Sequence, residues 1–160
     1  MEQILHYVWK HRLFQKDLKT TDGVPIEILD VGLHNTDEGP DFFNAKVKVG
    51  DRTWSGNIEI HRSSGEWVKH GHDKNKTYNS VILHIVENAN QEIFNEAKIS
   101  VPQCEIKYPI HIKDNIEFLL NADVALPCAN FLKDFPSIHL KGWLNTLLLE
   151  RLERKANDIQ

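Results

Sequence analysis

The sequence predicts an α/β (α+β) domain, a central mixed β-sheet flanked by helices, on three observations. Residues Phe42 to Val49 and Arg52 to His61 alternate polar and apolar side chains on either side of Gly50-Asp51, as the two arms of a half-buried hairpin do. Val81 to Val86 is a near-continuous apolar run, the pattern of a strand covered on both faces. Apolar residues at helical spacing open the chain and close it.

The elements follow in order. Ile4, Leu5, Val8, Trp9, Leu13 and Phe14 predict an opening amphipathic helix. An Asp22-Gly23 turn precedes a short strand marked by Ile26, Ile28 and Val31. A polar loop to Pro40 follows, punctuated by Gly32 and Gly39. In the hairpin, Phe43, Ala45, Val47 and Val49 form one apolar face, matched by Trp54, Gly56, Ile58 and Ile60. Ser63 and Glu66 stand at capping-box spacing, predicting a short helix through Trp67 to His70, and Lys69 to Lys76 reads as a histidine-rich loop. Ile99 to Ile112 reads as a further hairpin-like region, its pairing limited by Pro102 and Pro109. Ser137 to Ala156 carries Leu140, Trp143, Leu144, Leu147, Leu148 and Leu152 along one helical stripe. The expected organisation is a core domain over residues 1–135 and an amphipathic helix over 136–160 that leads into further sequence. The Trp143/Leu147 stripe would dock on the domain, on that further sequence, or on a second copy in a homo-oligomer.

Composition sets bounds on function. Nineteen basic against 23 acidic residues in 160 leave a formal charge of −4, which argues against holding nucleic acid by bulk charge. Local contacts to nucleic acid stay open. Two cysteines, Cys104 and Cys128, have no partners at metal-ligand spacing and read as buried thiols of a reducing compartment. The first residues lack the apolar run of a signal peptide, and no stretch approaches the roughly 20 apolar residues that span a bilayer. The expectation is a cytoplasmic protein with no membrane partner.

Polar chemistry crowds into the window from Leu33 to Leu83. Five of the nine histidines lie between His34 and His84, and His34 to Asp73 carries a net −2. Glu59 and His61, two apart on a strand, leave the same face of the sheet together with Asn57. Opening near the Pro40-Asp41 turn, they suit a hard divalent cation, with carboxylates favouring Mg²⁺ or Mn²⁺ and histidine drawing the preference toward softer ions.

Pro40-Asp41 on the first strand and Glu59-Ile60-His61 on the second resemble the PD-(D/E)XK nuclease signature, with His61 where lysine usually stands. The resemblance implies a restriction-endonuclease-like core, Asp41 and Glu59 as metal ligands, and His61 at the attacking water. Histidine is largely neutral near pH 7, so His61 would serve as base or ligand rather than as a fixed positive charge. Over the whole chain, Leu5-His6-Tyr7-Val8-Trp9, Gly32 to Asp37, Gly39 to Ala45, Gly56 to His61, His70-Gly71-His72, Val81 to His84 and Glu150 to Lys155 resemble the bacterial domain-of-unknown-function family 2851. That resemblance implies a match to the N-terminal part of longer members and names no activity.

Hairpin register tests the shared-metal idea. A two-residue turn pairs Val49 with Arg52 and Phe43 with Ile58, which leaves Asp41 opposite Ile60, on the wrong face for Glu59. A bulge between Phe42 and the Gly56 region is required, and one extra residue would set Asp41 opposite His61. Asp41 also suits a plain turn or cap, and Glu59 a solvated strand face. His34, His70, His72 and Asp73 are candidate substrate contacts or solvated loop residues. A separate His70/His72 zinc site lacks cysteine partners. His84, within an apolar strand, reads as a hydrogen-bonded core histidine, while Trp54, Trp67 and Trp143 read as core or interface. Glu2 would supply an acid from the first helix or simply favour that helix's first turn.

Three functions fit these residues: a Mg²⁺- or Mn²⁺-dependent phosphodiesterase acting on DNA or RNA; a catalytically altered nuclease-like fold that binds nucleic acid or protein; and a metal hydrolase of a non-nucleic substrate that uses the histidines with zinc or manganese.

Overall fold

The computed structural model describes residues 2–120 and 136–157, in two compact units, Met1–Ile116 and Glu117–Gln160. In the first unit, helix α1 (Glu2–Lys10) buries Ile4, Leu5, Val8 and Trp9. It ends earlier than the apolar spacing predicts. Arg12 takes a left-handed φ of 53°, and the N–H groups of Arg12 and Leu13 bond back to the carbonyls of Trp9 and Val8, closing the last turn as a Schellman motif does. The Arg12 guanidinium donates to the carbonyls of Ile28 and Leu29 at 3.1 Å each, holding the stop in place. Leu13 and Phe14 still pack on the core from beyond the helix.

The strands are β1 (Leu18–Lys19), β2 (Pro25–Asp30), β3 (Leu33–His34), β4 (Phe42–Val49), β5 (Arg52–Ser63), β6 (Val81–Asn88) and β7 (Gln103–Glu105). They form one mixed sheet in the order β1-β2-β4-β5-β6-β7, with β3 also paired to β4. The β1-to-β5 half is antiparallel, while β5-β6 and β6-β7 are parallel. Between β5 and β6 the chain crosses over through helix α2 (Gly65–Lys69) and two 3-10 turns, His72–Lys74 and Lys76–Ser80. The expected capping box is half formed: Glu66 accepts from the N–H groups of Arg62 and Ser63, while Ser64, the cap residue, makes no side-chain cap bond. Parallel pairing brings Ile82 so near β5 that a Cβ on Gly56 would collide with its Cγ2 and lie 2.8 Å from the Ser80 carbonyl oxygen. Only glycine fits there.

The register decides the site. Val49 pairs with Arg52, Val47 with Trp54 and Ala45 with Gly56, but Phe42 rather than Phe43 pairs with Ile58. The extra residue is a bulge at Phe43-Asn44, where Asn44 adopts a left-handed φ of 56° and its N–H meets Asn57 Oδ1 at 3.2 Å. Asparagine tolerates that conformation better than most residues. Gly32, also left-handed, closes against the bulge, where a Cβ would lie 2.5 Å from the Phe43 carbonyl oxygen. Phe42 therefore joins Ala45 and Val47 on the buried face, and Phe43 is displaced from it, contrary to the simple alternation. Because the extra residue sits on β4, Asp41 comes level with Glu59 and not with His61.

Ile58, Ile60, Leu83, Ile85, Cys104 and Ile106 complete the core beneath α1. Trp67 is buried in a second cluster with its indole N–H on the Phe94 carbonyl. Trp54, expected in the core, is 48% exposed: β6 pairs with β5 only from Asn57 onward, leaving the hairpin tip uncovered. The expected hairpin over Ile99 to Ile112 is instead β7, parallel to β6, followed by helix α3 (Ile110–Leu120), whose Ile112 and Ile116 pack on the core. In the second unit, helix α4 (Ser137–Asn157) spans the predicted helical segment, and Trp143 and Leu147 are exposed. The boundary expected near residue 135, and Cys128, lie outside the described residues. Among the described residues no helix is long and apolar enough to cross a membrane.

Candidate functional site

A cleft of about 570 Å³ opens where β4 and β5 diverge past the bulge. Its walls include Glu2 from α1, Asp37 and Glu38 from the loop before β4, Asp41, Glu59 and His61 from the hairpin, and His70, His72 and Tyr78 from the crossover. Five carboxylates line it and neither lysine nor arginine does.

Asp41 and Glu59 are locked together. The Asp41 N–H donates to Glu59 Oε2 at 3.2 Å, and Asp41 Oδ2 accepts from the Ile60 N–H at 2.8 Å. Glu59 is 5% exposed; burial, then the Asp41 charge, pushes its carboxyl up to about 9. The other oxygen, Oε1, lies 3.1 Å from His72 Nε2 and 3.5 Å from His61 Nε2.

Hydrogen-bond logic fixes the His61 ring. Gln103 gives its amide N–H to the Gln91 carbonyl, so its Oε1 is the acceptor for Ser64 Oγ and for His84 Nδ1. His84 therefore carries its proton on Nδ1 and offers Nε2 as an acceptor. His61 Nδ1, 2.8 Å away, must be the donor. That leaves the lone pair of His61 Nε2 pointing into the cleft, 3.1 Å from His70 Nδ1. Burial first, then the neighbouring histidines, hold His61 down at about 2, and burial holds His84 at about 4, so both rings are neutral near pH 7. His84 is fully buried and hydrogen-bonded, as its place in an apolar strand predicts.

His72 stacks on Tyr78 at 3.7 Å and is 7% exposed. Its Nε2 is buried with no hydrogen-bond partner among the described residues, although Glu59 Oε1 lies near. The ligand atoms of His61, His70 and His72 all lie within 4.8 Å of one another.

The structure thus gathers Asp41, Glu59, His61, His70 and His72 around one cleft. Two other expected contacts stand apart from its lining. His34, on β3, packs its ring near Phe42 and His6, at 4.9 and 5.5 Å. It leans on the outside of the bulge because β3 pairs with β4 at Phe42 and Phe43. Asp73, in the 3-10 turn, is half-buried with an unpartnered Oδ1 and does not line the cleft. Glu2 does line it, and burial followed by the Asp41 charge raises its carboxyl.

Sequence reasoning missed His6 and Tyr78. His6 Nε2 lies 3.3 Å from Asp41 Oδ2, and although burial opposes the charged ring, Asp41 lifts His6 above the usual histidine range. Its signal was its place four residues after Glu2, one turn further along the same face of α1. Tyr78 had none, since only the 3-10 turns bring it to His72.

No curated protein and no solved structure matches the chain. The family described as "Protein of unknown function (DUF2851)" matches residues 2–160, and the chain belongs to that family.

Proposed function

We propose that this protein is a divalent-metal-dependent phosphodiester hydrolase acting on DNA or RNA, with a PD-(D/E)XK-like core. One observation carries the reading: the β4 bulge brings Asp41 beside Glu59, which a regular hairpin would keep on opposite faces. The mixed sheet with flanking helices agrees with it. Asp41 and Glu59 would hold Mg²⁺ or Mn²⁺, and the donor chemistry fits, since Glu59 is a buried carboxyl crowded by Asp41 with no lysine or arginine among the described residues of the cleft, and a bound cation would take the place of its proton. Such an ion supplies Lewis-acid polarisation of a phosphoryl oxygen and a more acidic bound water.

The chain's own residues then have separate tasks. Five acidic groups and, among the described residues, no lysine or arginine line the cleft, so a phosphodiester meets no fixed positive charge and its approach depends on a cation there. His61, neutral and held in one tautomer by His84, aims a lone pair where a water would be oriented. His70 and His72 stand on the wall where a phosphate would rest, and contact with nucleic acid is local. Incubation of metal-stripped protein with labelled single- and double-stranded DNA and with RNA tests this. Cleavage should need added Mn²⁺ or Mg²⁺ and should fall at least about a hundredfold in Asp41→Asn. No cleavage of any of the three under either ion would sink the proposal. The three-histidine group favours a second reading, a metal hydrolase of a non-nucleic ester, which a panel of simple phosphate and carboxylate esters addresses.

A further inference from the structure

We infer that Glu59, His61, His70 and His72 form a binding site for one transition-metal ion, zinc or manganese, next to the Asp41–Glu59 pair and chemically distinct from it. Four features support this. The separations suit it: ligands about 2.0–2.1 Å from a tetrahedral zinc lie roughly 3.3 Å apart. Glu59 Oε1 to His72 Nε2 is 3.1 Å, Glu59 Oε1 to His61 Nε2 is 3.5 Å and His61 Nε2 to His70 Nδ1 is 3.1 Å. The widest histidine separation, within 4.8 Å, leaves at most about 1.5 Å to close, and His70 is the exposed side chain of the three. A hydrogen bond would normally quench a buried nitrogen, yet His72 Nε2 has no such partner among the described residues and faces Glu59.

The support behind the ligands is built as metal sites build it. Ser64, Gln91 and Gln103 fix His84, and His84 fixes His61 so that Nε2 keeps its lone pair. Tyr78 pins the His72 ring by stacking. Glu59 divides its two oxygens: Oε2 faces Asp41 and Oε1 faces the histidines. Three imidazoles and one carboxylate prefer a borderline ion over Mg²⁺, which favours oxygen and keeps its waters. An ion held there would take up the His61 lone pair, and His61 would then bear on the water through the ion instead of directly. The site does not depend on the substrate being nucleic acid, so failure of the cleavage assay leaves it standing.

The test is metal binding to the full chain. Protein stripped with a chelator is titrated with Zn²⁺ in the presence and absence of a thousandfold excess of Mg²⁺, with circular dichroism as the folding control. One Zn²⁺ per chain should bind and resist the Mg²⁺. His70→Ala, a surface change that does not threaten the core, should weaken it at least about tenfold, as should His72→Gln. Asp41→Asn should hold zinc within about threefold of the parent while losing cleavage. Zinc displaced by Mg²⁺, zinc held equally well by His70→Ala and His72→Gln, or zinc lost in Asp41→Asn as fully as in His70→Ala would each overturn the assignment. Cobalt substitution gives an independent readout. The visible absorption of a tetrahedral nitrogen-ligated ion should appear in the parent and vanish in His72→Gln, and an octahedral spectrum in the parent counts against the site.

Discussion

Replacing Glu59 with glutamine should stabilise the metal-free protein at neutral pH while removing its metal site. Glu59 lies 5% exposed beside Asp41, and its carboxyl rises from 4.5 to about 9. Between those values the folded state holds a proton that the unfolded chain has released, so this group makes stability fall as pH rises through the window. At pH 7 the unfolded chain has been ionised for about 2.5 units, and at about 1.4 kcal/mol per unit the penalty is about 3 kcal/mol. Glutamine keeps an acceptor for the Asp41 N–H and has no proton to lose. Urea unfolding of parent and variant in chelator, from pH 5 to pH 8, measures the difference. Taking the difference cancels the opposite trend of His61 and His84, whose depressed values make stability rise with pH up to the ordinary histidine range. The gap should widen by about 4 kcal/mol between pH 5 and pH 8. Parallel profiles, or a variant less stable at pH 8, would refute a buried, charge-crowded Glu59.

Three other outcomes follow from the same geometry. Asn44→Gly should fold and keep the bulge, whereas Asn44→Val, forced to φ 56°, should cost about 1–2 kcal/mol in chemical unfolding. The valine variant should also lose Mg²⁺ binding at the carboxylate pair as Asp41 leaves Glu59. Gly56→Ala should cost about 1–3 kcal/mol or more by thermal unfolding, because its Cβ meets Ile82 and the Ser80 carbonyl. Cys104 is buried and its thiol is pushed up to about 12, so in a Cys128→Ser background a thiol reagent should label it only once the chain unfolds.

Much of this was legible in the residues. Apolar spacing located α1, and the arms of the hairpin followed from period-two alternation about Gly50-Asp51. The near-continuous apolar run at Val81 to Val86 marked a strand covered on both faces, and that strand lies inside the sheet. Register arithmetic showed that Asp41 and Glu59 could meet only through a bulge. Its position depended on Asn44 taking a left-handed turn, which a sequence of alternating residues conceals. The extra residue could equally have sat on either strand, and that choice separates Asp41 beside Glu59 from Asp41 beside His61. Residues 99–112 were misread because β7 pairs in parallel with a strand 15 residues upstream, a long-range choice that local alternation cannot reveal. His70 and His72 were visible as a pair. Their partners His61 and Glu59 lie on a strand across the crossover, so cysteine spacing was the wrong signal to seek.

The most direct measurement is the anomalous difference map of a crystal soaked in Mn²⁺. A peak within coordination distance of both Asp41 and Glu59 is expected, absent from Asp41→Asn crystals soaked the same way. A well-ordered cleft with no peak there, or an ion touching neither carboxylate, would contradict it.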